Sequence, residues 1–471
     1  LFLVTHVVLI VGGVALHFGD IPVVAGGLRD GFSSGLQTLG IGGMLLLVAH
    51  AYSLGGGTYT GIEAVSNGMP IMREPRVRTG RRTMLYMAVS LAFTAAGLLV
   101  CYLLFAVTPE AGKTLNATLV ERFAAGIPGG PTFVVLTLFS EGALLVVAAQ
   151  AGFLDGPRVL ANMAVDSWAP HRFSALSERL TTANGIVLMG GAAVAALLYT
   201  RGDVRHLVVM YSINVFLTFS LSMLGMLRMW LGRRGQAAWK RRSALFAVGL
   251  ALCATILGIT VVEKFGEGGW ITVAVTSLFV LLAMLIKRHY RTLAGKLTDL
   301  DASLAAVENE PPRPVRPFDP NRPTAAILVA GYSGLGVHTL LNVIRQFPGY
   351  YHNLVFLSIG VVDSGAFKGA GELERLEAGI RASLDRYVAL ANRLGFPART
   401  RMRLGTDRLD EAEMLCREVL AEMPHTMFFA GKLIFRKERW FHPLLHNQMA
   451  FSLQRRLQWQ GLGVVVLPLR V

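Results

Sequence analysis

Long apolar segments alternate with short basic clusters from residue 1 to residue 290, and this alternation constrains the fold more than any other feature. A helix needs about 20 apolar residues to cross the hydrocarbon core of a bilayer. The segments that meet or approach this length are 1–18, 38–72, 83–107, 132–157, 184–199, 204–230, 244–262 and 269–287. They predict an all-α membrane domain of eight spans over residues 1–290, embedded in a lipid bilayer.

The basic residues predict how these spans are oriented. Cytoplasmic loops of membrane proteins carry an excess of Lys and Arg. One set of loops, which includes 73–82 and 228–242, holds eighteen of these residues, whereas the alternate set holds six. We therefore expect the richer loops and the C-terminal domain on the cytoplasmic side of the inner membrane. The net charge of +15 does not indicate a nucleic-acid partner, because the basic residues lie between spans.

Four glycines, Gly55, Gly56, Gly57 and Gly61, interrupt the second apolar segment. Glycine weakens a helix, and unwound backbone at membrane depth is tolerated where it lines a cavity or is buried in protein. In transporters, a glycine-interrupted span marks the substrate site. Close helix packing is the alternative role for such glycines. We favour a helix broken near Gly55–Gly61.

A carboxylate lies two residues after this glycine cluster. An ionisable side chain within a span is costly and indicates a functional site. Glu63 is therefore a candidate cation ligand or proton carrier, and the alternative is that it caps the second half-helix. Thr60 offers a hydroxyl and a carbonyl to a cation, or serves as an ordinary N-cap.

Other polar residues within the spans are candidates for a proton or ion path. Glu141 and Gln150 lie in the fourth segment, and Tyr211 lies in the sixth as a candidate lining residue. His50 lies in the second segment, and histidine is a residue type that can carry protons at physiological pH. A polar packing role is the alternative for His50, and water access is the alternative for Glu141.

Two stretches of the chain resemble the amino acid–polyamine–organocation superfamily. Residues 58–75, TYTGIEAVSNGMPIMREP, look like its broken sixth helix, and residues 153–164 look like the end of its eighth helix. The resemblance covers the whole chain. It implies an inverted-repeat transporter fold in which the eight segments are helices five to twelve, so that the chain is an N-terminally truncated fragment.

Within that superfamily, the C-terminal domain is similar to that of KimA-type potassium importers. The resemblance implies that Thr60, Glu63 and Tyr211 help to hold the ion. It implies a secondary active transporter for proton-coupled uptake of potassium, with no metal beyond the transported cation and with a regulatory cytoplasmic domain. An amino acid permease of the same superfamily, and a membrane-anchored sensor built on a degenerate transporter, are the alternatives.

Residues 323–471 have the pattern of a soluble α/β domain, joined to the spans by a proline-rich linker at 291–322. Apolar runs at 324–331, 353–362, 399–404, 426–430 and 463–468 alternate with helical patterns. This alternation predicts a five-stranded parallel sheet covered by helices. The order of elements resembles that of universal-stress-protein domains.

A glycine-rich turn follows the first predicted strand. Gly331, Gly334 and Gly336 precede a helix, and backbone amides at such a turn can hold phosphate. A regulatory nucleotide is therefore the candidate ligand of this turn, with an ordinary tight turn as the alternative, and we expect no other cofactor. The sequence shows no nucleophile–base set, so we expect a domain that regulates the protein or assembles it as a homodimer, and not an enzyme.

Overall fold

The computed structural model describes residues 1–55, 62–69, 72–177, 181–302, 311–362, 370–434 and 449–470. The chain divides into two units. The first comprises Leu1–Asp155 with Gly190–Phe279, and the second comprises Gly156–Met189 with Val280–Val471. The first unit is helical, and the second contains a parallel sheet.

Ten α-helices lie within the described part of residues 1–302. They are α1 (Phe2–Leu16), α2 (Ile21–Leu54), α3 (Ile62–Gly68), α4 (Arg76–Leu104), α5 (Leu115–Ala124), α6 (Gly130–Val165), α7 (Ala183–Thr200), α8 (Val204–Gly232), α9 (Trp239–Lys264) and α10 (Trp270–Ala302). Seven of them are long and apolar enough to cross a membrane, whereas α1 is a shorter apolar helix of 15 residues.

The second predicted segment differs from the structure at its start. Helix α2 begins at Ile21, within the stretch that was expected to be a loop, and a non-helical residue, Gly40 (φ 67°, ψ 176°), divides it. The polar residues Arg29 and Asp30 lower the hydropathy of this stretch without opposing a helix. Pro22 lies in the first turn, where its missing N–H has no helical partner to lose.

The predicted break after residue 54 falls mostly on residues that the structure does not describe. Helix α2 ends at Leu54 and α3 begins at Ile62. Gly55 follows the end of α2, while Thr60 and the other three glycines of the cluster lie outside the described residues. The break therefore stays a prediction.

Helices α1 and α4 pack closely because glycines face large side chains at their contact. A Cβ added at Gly97 would lie 2.6 Å from the side chain of Ile10, and one at Gly13 would lie 3.2 Å from Cys101 Sγ. The short helix α5 covers this contact with Leu119. Small residues at such contacts allow the backbones of membrane helices to approach.

The α/β domain has the predicted five-stranded parallel sheet. Its elements are β1 (Thr324–Leu328), α11 (Gly334–Gln346), β2 (Asn353–Val361), α12 (Ala370–Arg393), β3 (Ala398–Gly405), α13 (Arg408–Glu422), β4 (Thr426–Ile434), α14 (Met449–Gln458) and β5 (Val464–Arg470). The strand order is β3-β2-β1-β4-β5, and every pairing is parallel. Helices α11 and α12 bury one face, and α13 and α14 bury the other. The predicted fold class, an all-α membrane half with this sheet, is confirmed.

The proline-rich segment before β1 is bound to the α/β domain along residues 313–319. The Arg313 amide donates to the Arg393 carbonyl at 2.9 Å. The fully buried side chain of Asn353 donates to the Asp319 carbonyl at 2.6 Å and accepts from the Asp319 amide at 3.2 Å. Helix α10 continues to Ala302, so the segment expected to be a linker is helical at its start and attached to the sheet at its end.

Candidate functional site

Four helices of the first unit bring polar side chains together in what we call the His6 cluster. It consists of His6 on α1, Tyr102 on α4, Asn116 on α5 and Glu141 on α6. The His6 side chain is 1% exposed and that of Glu141 is 22% exposed. An imidazole and a carboxylate thus meet inside the membrane half of the protein, with access to the surface through the carboxylate.

Asn116 lies at the centre of the His6 cluster. His6 Nε2 is 3.3 Å from Glu141 Oε1, and Asn116 Nδ2 is 3.4 Å from the same nitrogen. The same Asn116 nitrogen donates to Glu141 Oε1. Tyr102 OH donates to Asn116 Oδ1 at 3.2 Å, which orients the amide. Each polar side chain of the cluster therefore has a partner within it.

The sequence around α5 explains why Asn116 reaches this position. Thr114 caps the helix, with its Oγ1 accepting from the Ala117 amide at 3.1 Å. Arg122 donates to the Phe105 and Ala106 carbonyls at 2.9 Å and so attaches α5 to the end of α4. Helix α5, which carries Asn116 in its first turn, is therefore held at both of its ends.

The predicted site residues do not all meet in one place. Glu141 belongs to the His6 cluster, whereas Gln150 is exposed further along α6. His50 Nδ1 on α2 pairs with Glu263 Oε2 on α9, and both side chains are about one-third exposed. Tyr211 lies on α8 and is 39% exposed.

The predicted ion ligands of the second segment cannot be placed. Thr60 lies outside the described residues, and so does the side chain of Glu63, although its backbone belongs to α3. Their predicted role, and those of Tyr211, Gln150 and His50, stay predictions.

Sequence reasoning missed three members of the cluster. His6 was visible as a polar residue within the first apolar segment. Asn116 belongs to a short connecting helix, and Tyr102 lies near the end of a span, where a tyrosine is common. A histidine inside a predicted span was the signal that could have pointed to the site.

The glycine turn of the α/β domain follows β1, at the point between β1 and β4 where the strand order of the sheet reverses. Ligands of open α/β sheets bind outside the carboxyl ends of strands at this point. In the structure, the fully buried Tyr387 donates to the Gly331 carbonyl at 2.9 Å and accepts from the Ser333 amide at 3.3 Å. A Cβ at Gly336 would collide with this hydroxyl. Packing therefore accounts for Gly336, and the phosphate role of Gly331, Gly334 and Gly336 stays a prediction.

No protein-family model matches the chain. The chain is 27% identical over 470 residues to the potassium transporter KimA of Bacillus subtilis (strain 168), and the match covers 99% of this chain and 70% of KimA. This chain resembles KimA along almost its whole length. The predicted resemblance to KimA-type potassium importers is thereby confirmed. Together with the seven candidate spans, the similarity identifies a multi-pass integral membrane protein.

Proposed function

We propose that this protein is a secondary active transporter that takes up potassium together with protons. The observation that carries the proposal is the similarity to a potassium transporter over 470 residues. This similarity includes the glycine-interrupted segment as well as the α/β domain, and it favours potassium over an amino acid as the substrate. The relative is a transporter, which also favours transport over an enzymatic role.

The proposed ion site lies between the end of α2 and the start of α3. Helix α2 ends at Leu54, and the partial negative charge of a helix C-terminus attracts a cation. The Glu63 carboxylate and the Thr60 oxygens supply further ligands, with Tyr211 from α8. A buried charge costs about 3 kcal/mol at the centre of a span, and a bound potassium ion would offset this cost.

The α/β domain is proposed to be cytoplasmic and regulatory, in a protein of the inner membrane. Eighteen Lys and Arg residues in one set of loops support this orientation. A nucleotide bound at the turn Gly331–Gly336, or a homodimer formed through this domain, would give the domain a means of controlling transport.

Rubidium uptake into proteoliposomes containing the intact protein tests the proposal. We expect Glu63→Gln to reduce uptake to background, because glutamine keeps the shape of the side chain and removes the counter-charge of the cation. Glu110→Gln is the matched control, since Glu110 is 42% exposed and pairs with Lys113 and Arg122 on the surface. Exposed pairs of this kind contribute little, so the control variant should transport normally.

Three results would contradict the proposal in different ways. Normal uptake by Glu63→Gln would support the capping role of this carboxylate. Uptake of an amino acid in place of rubidium by the unmodified protein would support the permease alternative. Transport of neither substrate would support the sensor.

A further inference from the structure

We propose that His6 and Glu141 together form the proton-binding site of the transporter, sharing one exchangeable proton that enters and leaves with each cycle. This inference rests on the proposed function, since it assigns residues to the proton that accompanies the cation. It adds His6, Asn116 and Tyr102 to the predicted residue Glu141.

The tautomer of His6 is fixed by the backbone of its own helix. His6 Nδ1 is 2.9 Å from the Phe2 carbonyl oxygen, which can only accept a hydrogen bond. Nδ1 therefore carries a hydrogen. In the neutral ring, Nε2 then has a lone pair, and this lone pair lies 3.3 Å from the carboxylate oxygen of Glu141.

Without an added proton, Nε2 and Glu141 Oε1 are two acceptors facing each other. Asn116 Nδ2 has two hydrogens, and it lies within reach of both acceptors. One amide can therefore bridge the imidazole and the carboxylate. Tyr102 holds the amide in this orientation, because its hydroxyl donates to the Asn116 oxygen at 3.2 Å.

With one added proton, the same atoms form a charge-assisted hydrogen bond. The proton lies between Nε2 and Glu141 Oε1, and Asn116 continues to donate to the carboxylate. The same heavy-atom positions thus allow hydrogen bonds both with and without the added proton. A carrier needs this property, because a proton bound in one state has to leave in another.

Among the described residues around His6, the added proton supplies the positive charge that compensates the Glu141 carboxylate. The polar groups that face His6 are Thr5 of its own helix, Asn116 of α5 and Glu141 of α6. From α4, Tyr102 reaches Asn116, and the Cys101 thiol lies against the Ile10 carbonyl of α1. Within the described residues, the ion pair of Glu141 is with His6, and its other hydrogen bond comes from an uncharged amide. An added proton therefore changes the attraction between α1 and α6, which links proton occupancy to helix packing.

Proton entry coupled to rubidium uptake tests the assignment, measured with a pH-sensitive dye inside proteoliposomes. We expect His6→Gln to lower rubidium-dependent proton entry by at least about tenfold, within the range of typical coupling between sites. Rubidium exchange should fall much less, since exchange requires no net proton movement. Glu141→Gln should behave in the same way, so a second variant is available if the first fails to fold.

His17→Gln, at the C-cap of the same helix, is the matched control. His17 also pairs with a carboxylate, Asp20, at 2.8 Å, but its side chain is 31% exposed. We expect rubidium-dependent proton entry in His17→Gln to equal that in the unmodified protein. The inference would be overturned if rubidium-dependent proton entry in His6→Gln or in Glu141→Gln equalled that in the unmodified protein. If the unmodified protein itself moved rubidium without protons, the proton coupling of the proposed function would fail instead.

Discussion

At the scale of the residue, two glycines of the same turn in the α/β domain differ in whether packing requires a glycine at their position. Gly336 lies against the hydroxyl of the buried Tyr387, so no larger residue fits. Gly331, five positions earlier in the same turn, faces open space. The glycine pattern that predicted a phosphate site therefore includes one position that the packing of α12 requires in any case.

We expect Gly336→Ala to destabilise the protein by about 1–3 kcal/mol, because an added methyl group overpacks the site against Tyr387. Gly331→Ala is the matched control and should change the free energy of unfolding by less than about 0.5 kcal/mol. Thermal unfolding of the intact protein in detergent measures both changes. Equal stability of the two variants would mean that Tyr387 moves away without cost.

At the scale of the element, the contact between α1 and α4 positions the His6 cluster. Ile10 of α1 lies against Gly97 of α4, one turn from His6 along the helix. A larger residue at position 97 would push the two helices apart and would shift His6 relative to Tyr102 of α4.

We expect Gly97→Ala to lower stability by about 1–3 kcal/mol, as overpacking does in other well-packed sites. The comparison variant is Gly225→Ala on α8, where an added Cβ meets no atom within 4 Å. Thermal unfolding in detergent measures the stability of both variants. A Gly97→Ala protein as stable as the Gly225→Ala protein would show that the Ile10 side chain adapts freely.

Elements were predictable from the sequence where local pattern and tertiary role agree. Strand β1 has an apolar run of strand length, and the predicted and observed strands both begin at Thr324. The first half of α2 was missed because hydropathy detects burial in lipid, whereas Arg29 and Asp30 are polar residues in a regular helix. Of the His6 cluster, the sequence indicated only Glu141, because the four members come from four helices. No local pattern records which helices lie side by side.

At the scale of the whole molecule, the proline-rich segment connects the α/β domain to helix α10 and also packs as part of that domain. Asn353 is fully buried and holds the backbone of Asp319 on both its amide and its carbonyl. The same side chain donates to Thr324 Oγ1 at 3.0 Å, at the start of β1. One amide therefore fastens the segment to the first strand.

We expect Asn353→Ala to release this segment, because the backbone groups of Asp319 lose their partners. Chymotrypsin should then cleave the bond between Phe318 and Asp319 faster than in the unmodified protein. Asn321→Ala is the control, since Asn321 is exposed in the same segment. Unchanged cleavage in Asn353→Ala would show that the contact between Arg399 and Phe318 suffices to hold the segment.

The attachment of this segment sets the length of the tether between helix α10 and the sheet. Eleven peptide steps separate Ala302, the end of α10, from Arg313, whose amide is hydrogen-bonded to the domain. At about 3.5 Å for each step, the tether reaches no further than about 40 Å. A short tether keeps the domain at an effective concentration of about a millimolar or more next to the helix. The regulation proposed for this domain would therefore need only weak contacts, which a bound ligand or a few altered charges would be enough to reverse.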